Sequence, residues 1–178
     1  VSNLAERDID VTPVNDAPVL AGLAAETLGY TENAGAVAVA GPLTVSDDVD
    51  VNIESATVTI AGIADGTSEV LGFDVGTSGI VGSYSAGVLS LTGAATLAEY
   101  QTVLNSVTYA NTSENPTAGV RTIEFQVNDG DAVSNLAERD IDVTPVNDAP
   151  VLAGLAAETL GYTENAGAVA VAGPLTVS

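Results

Sequence analysis

The chain has 178 residues, with 24 Asp and Glu against three Arg (Arg7, Arg121, Arg139), no Lys, His, Cys, Met or Trp, and a formal charge of −21. That charge repels phosphate backbones and anionic bilayers, and the missing His and Cys remove disulfides, thiol chemistry and the usual zinc and copper sites. Nucleic-acid binding and membrane insertion are therefore not expected, no apolar run approaches the ~20 residues that span a bilayer, and any bound metal should be a hard, oxygen-ligated cation.

Residues 133–178 repeat residues 1–46 letter for letter, an offset of 132 residues. The chain reads as about 1.35 turns of a tandem array. In chain order, residues 1–12 are the last strand of a preceding repeat, 13–16 a linker, 17–144 one complete module, 145–150 a second linker and 151–178 the start of the next repeat. Both linkers lie in Thr-Pro-Val-Asn-Asp-Ala-Pro-Val, at Thr12–Val19 and Thr144–Val151, where two prolines keep the backbone extended, stiff and outside any central strand.

Within the module, Val-, Ile- and Thr-rich segments bounded by Gly, Asn, Asp or Pro predict a Greek-key antiparallel β-sandwich. Strands are expected near Thr27–Thr31, Ala36–Val45, Ala56–Ile60, Val70–Val75, Ile80–Tyr84 and Val88–Leu91. The segment TLAEYQTVLNS breaks the pattern. Thr96 followed by Glu99 is a capping box, and Leu97, Tyr100 and Leu104 recur at helical spacing, predicting a short helix over Leu97–Asn105 that crosses one end of the sandwich. Strand Val107–Ala110 follows, and then GVRTIEFQV, which turns Arg121, Ile123, Phe125 and Val127 to one face. In the last strand Ala137, Ile141 and Val143 face inward while Glu138, Asp140 and Asp142 face solvent. Arg121 and Arg139 fall on inward registers, which suits strand ends that snorkel or pair with nearby acids.

The acids fall into groups. Asn15-Asp16 lies in the linker, Asp47, Asp48 and Asp50 follow the second strand, and Asn128-Asp129-Gly130-Asp131 joins the last two strands. In a sandwich entered from the linker these three loops can converge at the upstream end, where crowded carboxylates need a cation, and Ca²⁺ accepts six to eight oxygens in flexible geometry. The opposite end offers Glu32, Glu99 and the next linker's Asn147-Asp148. Local readings stand beside these: a hairpin turn for Asp129-Gly130, the capping box for Glu99, a side-chain-to-backbone turn for Asn147-Asp148 and a solvated loop for the acid run.

The linker Val14-Asn15-Asp16-Ala17-Pro18, Glu32-Asn33, Asp48-Val49-Asp50 and Asn128-Asp129-Gly130 resemble the cadherin set of calcium motifs in the same order. The run Gly87–Gly93, GVLSLTG, followed by Leu97-x-x-Tyr100-Gln101 and Val107-Thr108-Tyr109, resembles the bacterial cadherin-like repeats of giant secreted adhesins of the RTX type and the related proteoglycan-type repeat. The resemblance covers the whole period. It implies that Asn15, Asp16, Asp48, Asp50 and Asp129 surround the upstream junction, with Glu32, Asn147 and Asp148 around the downstream one and Glu99 in the place of a ligand acid. The linker here has Thr-Pro where the cadherin linker begins with Asp, and the acidic element at 97–99 is reduced, which implies fewer ions and weaker binding.

Ser and Thr lack a His, Lys or Cys to activate them, and an Asp/Glu pair of the glycosidase kind lacks an aromatic cleft, so no enzyme is expected. The reading is a structural extender of a long extracellular bacterial adhesin or surface fibre, stiffened by Ca²⁺ at linkers between adjacent identical repeats. Absence of Cys suits export of an unfolded chain. The alternative is a self-assembling filament or sheath subunit whose partial modules are completed by strands from neighbouring chains. A carbohydrate- or protein-binding module would need an exposed aromatic or apolar patch that the sequence does not reveal.

Overall fold

Alternation puts Val58, Ile60, Ile123, Phe125 and Ile141 on one side of neighbouring strands, and each is 3% exposed or less. A computed structural model describes residues 1–178 except Pro13, 156–158, Ala172, Pro174 and Ser178. The predicted linker's Pro13 and those positions of the final repeat start therefore lie outside the described residues. The elements are β1 (Val19–Ala21), β2 (Leu28–Thr31), β3 (Val37–Ala38), β4 (Thr44–Ser46), β5 (Asn52–Ala61), a 3₁₀ turn at Gly66–Ser68, β6 (Glu69–Gly72), β7 (Val81–Ser85) and β8 (Val88–Thr96). After these come α1 (Leu97–Asn105), β9 (Thr108–Asn111), β10 (Gly119–Asn128), β11 (Ala137–Thr144), β12 (Leu152–Ala153) and β13 (Thr176–Val177). Val1–Pro145 and Val146–Ser178 are separate units.

The first unit is the all-β sandwich expected from sequence. A six-stranded sheet has the order β2-β11-β10-β5-β8-β7, and a three-stranded sheet β3-β9-β6 and the pair β1-β4 complete it. Its ladders are antiparallel except β2–β11, which is parallel with Leu28 opposite Ile141 and Thr31 opposite Thr144. That exception departs from the antiparallel expectation. β2, which carries the chain on from β1 away from the first linker, and β11, which leads into the second, run in the same direction as neighbours.

Local features explain the remaining shape. A register shift between Ile53 and Ser55 of β5 lets Ile53 and Ala56, which have opposite parity, both face the core. Helix α1 has the predicted bounds because its cap is local: Glu99 N–H bonds Thr96 Oγ1 at 3.3 Å while Thr96 N–H bonds the Glu99 carboxylate at 2.9 Å. The predicted strand Ala36–Val45 is instead divided into β3 and β4 by a turn at Gly41–Pro42, since Pro has no N–H for a ladder. Helix side chains take over the missing pairing. Asn105 accepts from Leu43 N–H at 2.9 Å and donates to Leu43 O at 2.8 Å, and Gln101 accepts from Val45 N–H at 3.1 Å.

In the second unit β12 and β13 pair antiparallel, with Leu152 opposite Val177 and Ala153 opposite Thr176. This repeats the pairing of Leu20 with Val45 and Ala21 with Thr44 in β1 and β4. The copy of β2 at 160–163 carries no strand, and Tyr162 is 64% exposed where its twin Tyr30 is 1% exposed.

Charge sits in the middle of the sandwich. Arg121 of β10 is 2% exposed and donates to Glu69 of β6 through Nε at 3.0 Å and Nη2 at 2.9 Å, and to Asp65 through Nη2 at 3.1 Å. The carbonyls of Gly119 and Thr117 accept from Nη1 and Nη2, both at 3.0 Å. Glu69, with no exposure, also accepts from the N–H groups of Ala64 and Asp65. Of the two sequence readings for Arg121, pairing is the one observed. Because removing one partner of a buried ion pair strands the other charge, Arg121→Met is expected to destabilise the module by about 3–5 kcal/mol. Adding Glu69→Leu should return part of that loss in urea denaturation, since the fully buried Glu69 carboxylate is then no longer left opposite a methyl group, while Asp65 keeps its bonds from Thr117 and Asn111.

Candidate metal centre

The turn between β10 and β11 uses its own side chains to hold its shape. Asp129 Oδ1 accepts from the N–H groups of Asp131 at 2.8 Å and Ala132 at 2.7 Å, which leaves Oδ2 turned to the linker, where Asn15 Nδ2 donates to it at 3.2 Å. The same Asn15 amide donates to Asp16 O at 3.1 Å. Linker and final hairpin are thereby tied at the upstream end.

The loop after β4 reaches the same place. Asp47 Oδ1 accepts from Val49 N–H at 2.8 Å and Asp50 N–H at 2.7 Å, a local turn that fixes its carboxylate. Asp47, Asp50 and Asp129 each bring a carboxylate oxygen within 4.8 Å of the others. The second oxygen of Asp47 is buried and has no hydrogen-bond partner. A buried acceptor left unpaired is costly, and here it belongs to an all-oxygen group of hard donors. Such a set suits Ca²⁺ or Mg²⁺ and not a soft metal.

Electrostatics record the crowding. Burial raises the Asp50 carboxyl above the usual range, and the charges of Asp47, Asp129 and Asp131 raise it further. For Asp129 burial also pushes upward, but the backbone N–H bonds from Ala132 and Asp131 and the Asn15 amide outweigh it, so its carboxyl is lowered. The two shifts oppose each other.

The remaining predicted residues take various places. Asp16 is exposed beside Asn15, and Asp48 is exposed on the turn, while it is Asp47 whose carboxylate joins Asp50 and Asp129. Glu32 is 4% exposed at the downstream end, where its N–H bonds Thr144 O at 2.9 Å, and the Glu114 carboxylate comes within 4.8 Å of its own. Sequence reading set Glu99 with Glu32. The structure starts α1 at the other end, where Thr96 pairs with Asn52 and Leu97 N–H bonds Val51 O, and Glu99 is engaged in the cap. Asn147 and Asp148 are exposed in the second unit, and Asn147 Nδ2 donates to Asp148 O at 3.0 Å, as Asn15 does to Asp16.

Asp47 was visible in the acid run but not singled out as a ligand. Asp48 precedes N–H groups at the same spacing, so the sequence does not distinguish the two, and it is in the folded turn that Asp47 takes the N–H groups of Val49 and Asp50. Glu114 likewise meets Glu32 only through the fold.

No protein-family model and no curated protein sequence matches the chain.

The opposed shifts give a pH signature. A carboxyl raised by folding makes the native state bind more protons than the unfolded one, so in chelator the Asp50 contribution to stability should rise as pH falls into the carboxylate range from above. Asp129 acts oppositely: its contribution is present above the ordinary carboxylate range and is lost as pH falls below about 4. Denaturation midpoints followed downward from pH 7 into the carboxylate range should show the rise in the parent chain, with Asp50→Asn flattening it.

Proposed function

We propose that the chain is an extender repeat of a long extracellular bacterial adhesin or surface fibre, in which Ca²⁺ at each linker fixes one module against the next. The observation that carries this reading is the Asn15–Asp129 bond, which fastens the linker beside the three-carboxylate group of Asp47, Asp50 and Asp129. Asp47, Asp50 and Asp129 would hold the ion, with Asn15 as the linker's contribution, and the ion would neutralise charge that otherwise opposes the approach of these loops.

The repeat then supplies the array. Asn147-Asp148 stands to the following copy as Asn15-Asp16 stands to this module, so the linker's pair of groups returns after 132 residues. The formal charge of −21 makes an uncompensated array self-repelling. Metal that binds the folded junction and not the unfolded chain stabilises by mass action, about 2.7 kcal/mol at 100 times the dissociation constant. Where external calcium is high the junction is stiff, and where it is low the linker is released.

Calcium titration of the full chain in low salt is expected to raise Tm by roughly 5–10 °C at saturation. Radius of gyration should change over the same titration, and Asp129→Asn should remove most of both responses. If neither Tm nor radius of gyration responds to calcium, the reading fails.

A further inference from the structure

The six- and three-stranded sheets end in four edge strands, β2, β7, β3 and β6. Edges are ordinarily guarded by charge, proline, a bulge or brevity, because their free N–H and C=O groups invite another strand. β3 has two residues, and β2 and β6 have four each. β7, Val81–Ser85, is the longest with five and has none of the guards. Its ladder with β8 runs without a shift from Val81–Thr92 to Ser85–Val88, and residues 75–98 hold no charged residue and no proline in a chain of formal charge −21.

The hairpin that joins β7 to β8 shows which backbone groups are open. Ala86 and Gly87 have φ of 50° and 85°, so both turn residues are left-handed and the closing pair Ser85–Val88 is hydrogen-bonded. Bonds to β8 then fall on Ser85, Ser83 and Val81. The Ile60 N–H bond to Gly87 O at 2.8 Å agrees, since it gives the alternate residues of β8 to β5. Gly82 and Tyr84 therefore turn their N–H and C=O groups away from β8, and no group among the described residues bonds them. We propose that β7 is a lateral docking edge, at which a second copy of this chain pairs through its own β7, antiparallel about a two-fold axis at Ser83.

The register is self-complementary. Gly82 would lie opposite the second copy's Tyr84 and Tyr84 opposite its Gly82, each pair exchanging two N–H···O bonds, with the two Ser83 Cα atoms about 4.5 Å apart. Phe73 lies over Gly82, and the Tyr84 hydroxyl is held inward by its bond to Glu69 O at 2.6 Å. Each Tyr84 would thus stand beside the second copy's Gly82 and Phe73, a ring filling the space that a strand glycine leaves. On the outer face Val81, Ser83 and Ser85 are exposed and small.

Charge selects both the edge and its occupant. Two copies of charge −21 repel over most of their surface. On the outer face the paired rows of β7, β8 and β5 carry only Val, Ser, Thr and Ala, and Glu54 lies at the β5 bulge beyond the end of β7. Glu124 of β10, opposite Thr59, is three strand spacings or about 14 Å from β7. In the pair the two Glu124 would be about 33 Å apart, several Debye lengths at physiological salt. Asp65 and Glu69 in the other layer are met by Arg121. The β2 edge offers no such approach, since Glu32 follows it and Glu138, Asp140 and Asp142 line the outer face of neighbouring β11. A basic partner would find more to hold at β2 than at β7, whereas a like-charged copy is tolerated only at β7.

A five-residue edge buries well under the ~1,000 Å² of a stable dimer, so one contact is weak. Resting on the extender reading, an array presents one β7 in each 132-residue repeat, and edges in series turn weak pairing into side-by-side cohesion of fibres.

The test uses the full chain in chelator and ~0.3 M NaCl, so that calcium plays no part and repulsion is screened. Weight-average mass should rise toward that of a dimer between ~10 µM and ~1 mM, and more steeply at higher salt. Over that range hydrogen exchange at the Gly82 and Tyr84 N–H groups should slow, while that at Ser83, already bonded to β8, stays unchanged. Ser83→Lys and Ser83→Glu each set like charges at the axis and should weaken association at least ~10-fold with Tm unchanged, and an equimolar mixture of the two should restore it. A parent chain still monomeric at ~1 mM overturns the proposal, as does association that survives in both variants or is not restored by mixing. With calcium absent throughout, that failure is separate from failure of the extender reading.

Discussion

A guanidinium taken out of water must be given both neutralising charge and enough acceptors for its donors, and Arg121 dictates much of how this sandwich closes. Its acceptors come from across the interior: Glu69 on the three-stranded sheet, Asp65 in the connection from β5, and the carbonyls of Thr117 before β10 and Gly119 at its start. Asp65 in turn accepts from the Thr117 N–H and hydroxyl and from the Asn111 amide, so the chain leading into β10 and the end of β9 are drawn to the same point. Asn111 also exchanges two backbone bonds of 3.0 Å with the Tyr30 hydroxyl, and the Tyr30 ring meets Tyr109 edge-on at 5.1 Å. One charge network and the ring pair beside it thus set how the two sheets face each other. Apolar packing alone would tolerate several relative positions of the sheets, whereas these directional bonds have one geometry in which all are made.

That arrangement has a consequence for the surface. Of three arginines, Arg121 is committed to the interior and Arg139 is half-buried, leaving only Arg7 exposed among the described residues. The acids on the outer face of β11 and in the upstream loops therefore have almost no basic side chains to meet. Asp140 accepts from the Thr122 hydroxyl at 2.7 Å, and the loop acids rely on backbone N–H groups. Neutral donors orient a carboxylate but do not cancel its charge. Where three such groups converge, the charge is relieved by a proton on Asp50 or by a hard cation from solution, and the all-oxygen donor set is of the kind such a cation takes.

How much of this could be read in the chain depended on the range of the interaction. Helix α1 was legible to the residue because Thr96, Glu99 and the apolar positions that define it lie within nine positions. Period-two strands such as β10 were legible because alternation is local. The division of Ala36–Val45 was not, since Asn105 and Gln101, 62 and 56 residues away, supply the pairing that β4 needs. The partners of Arg121 were equally hidden, lying 52 and 56 residues back in the chain. At the candidate site the three converging loops were legible from the acid groups, but which acid of the run Asp47–Asp50 turns inward was not. Asp47 is chosen by an Asx turn, and the approach of that turn to Asp129 is set by the fold.

The repeated sequence separates the two kinds of information within one molecule. Residues 19–46 and 151–178 are identical, and both form the short antiparallel pair represented by β1–β4 and β12–β13, because that pairing joins residues inside the segment. Only the first copy has β2 and β3, whose partners β11 and β9 belong to the rest of the module. Residues 1–12 show the same limit, for they match 133–144 in every letter and yet remain exposed coil. Sequence by itself determined the period, the acidity, the capped helix, the alternating faces and the local pairs, all of which depend on neighbours along the chain. Tertiary structure decided which of two identical strands is buried, which carboxylates meet and which acids neutralise Arg121. Those outcomes require groups far apart in sequence to be brought together, and the entropy of doing so is recovered only when the whole core closes around them.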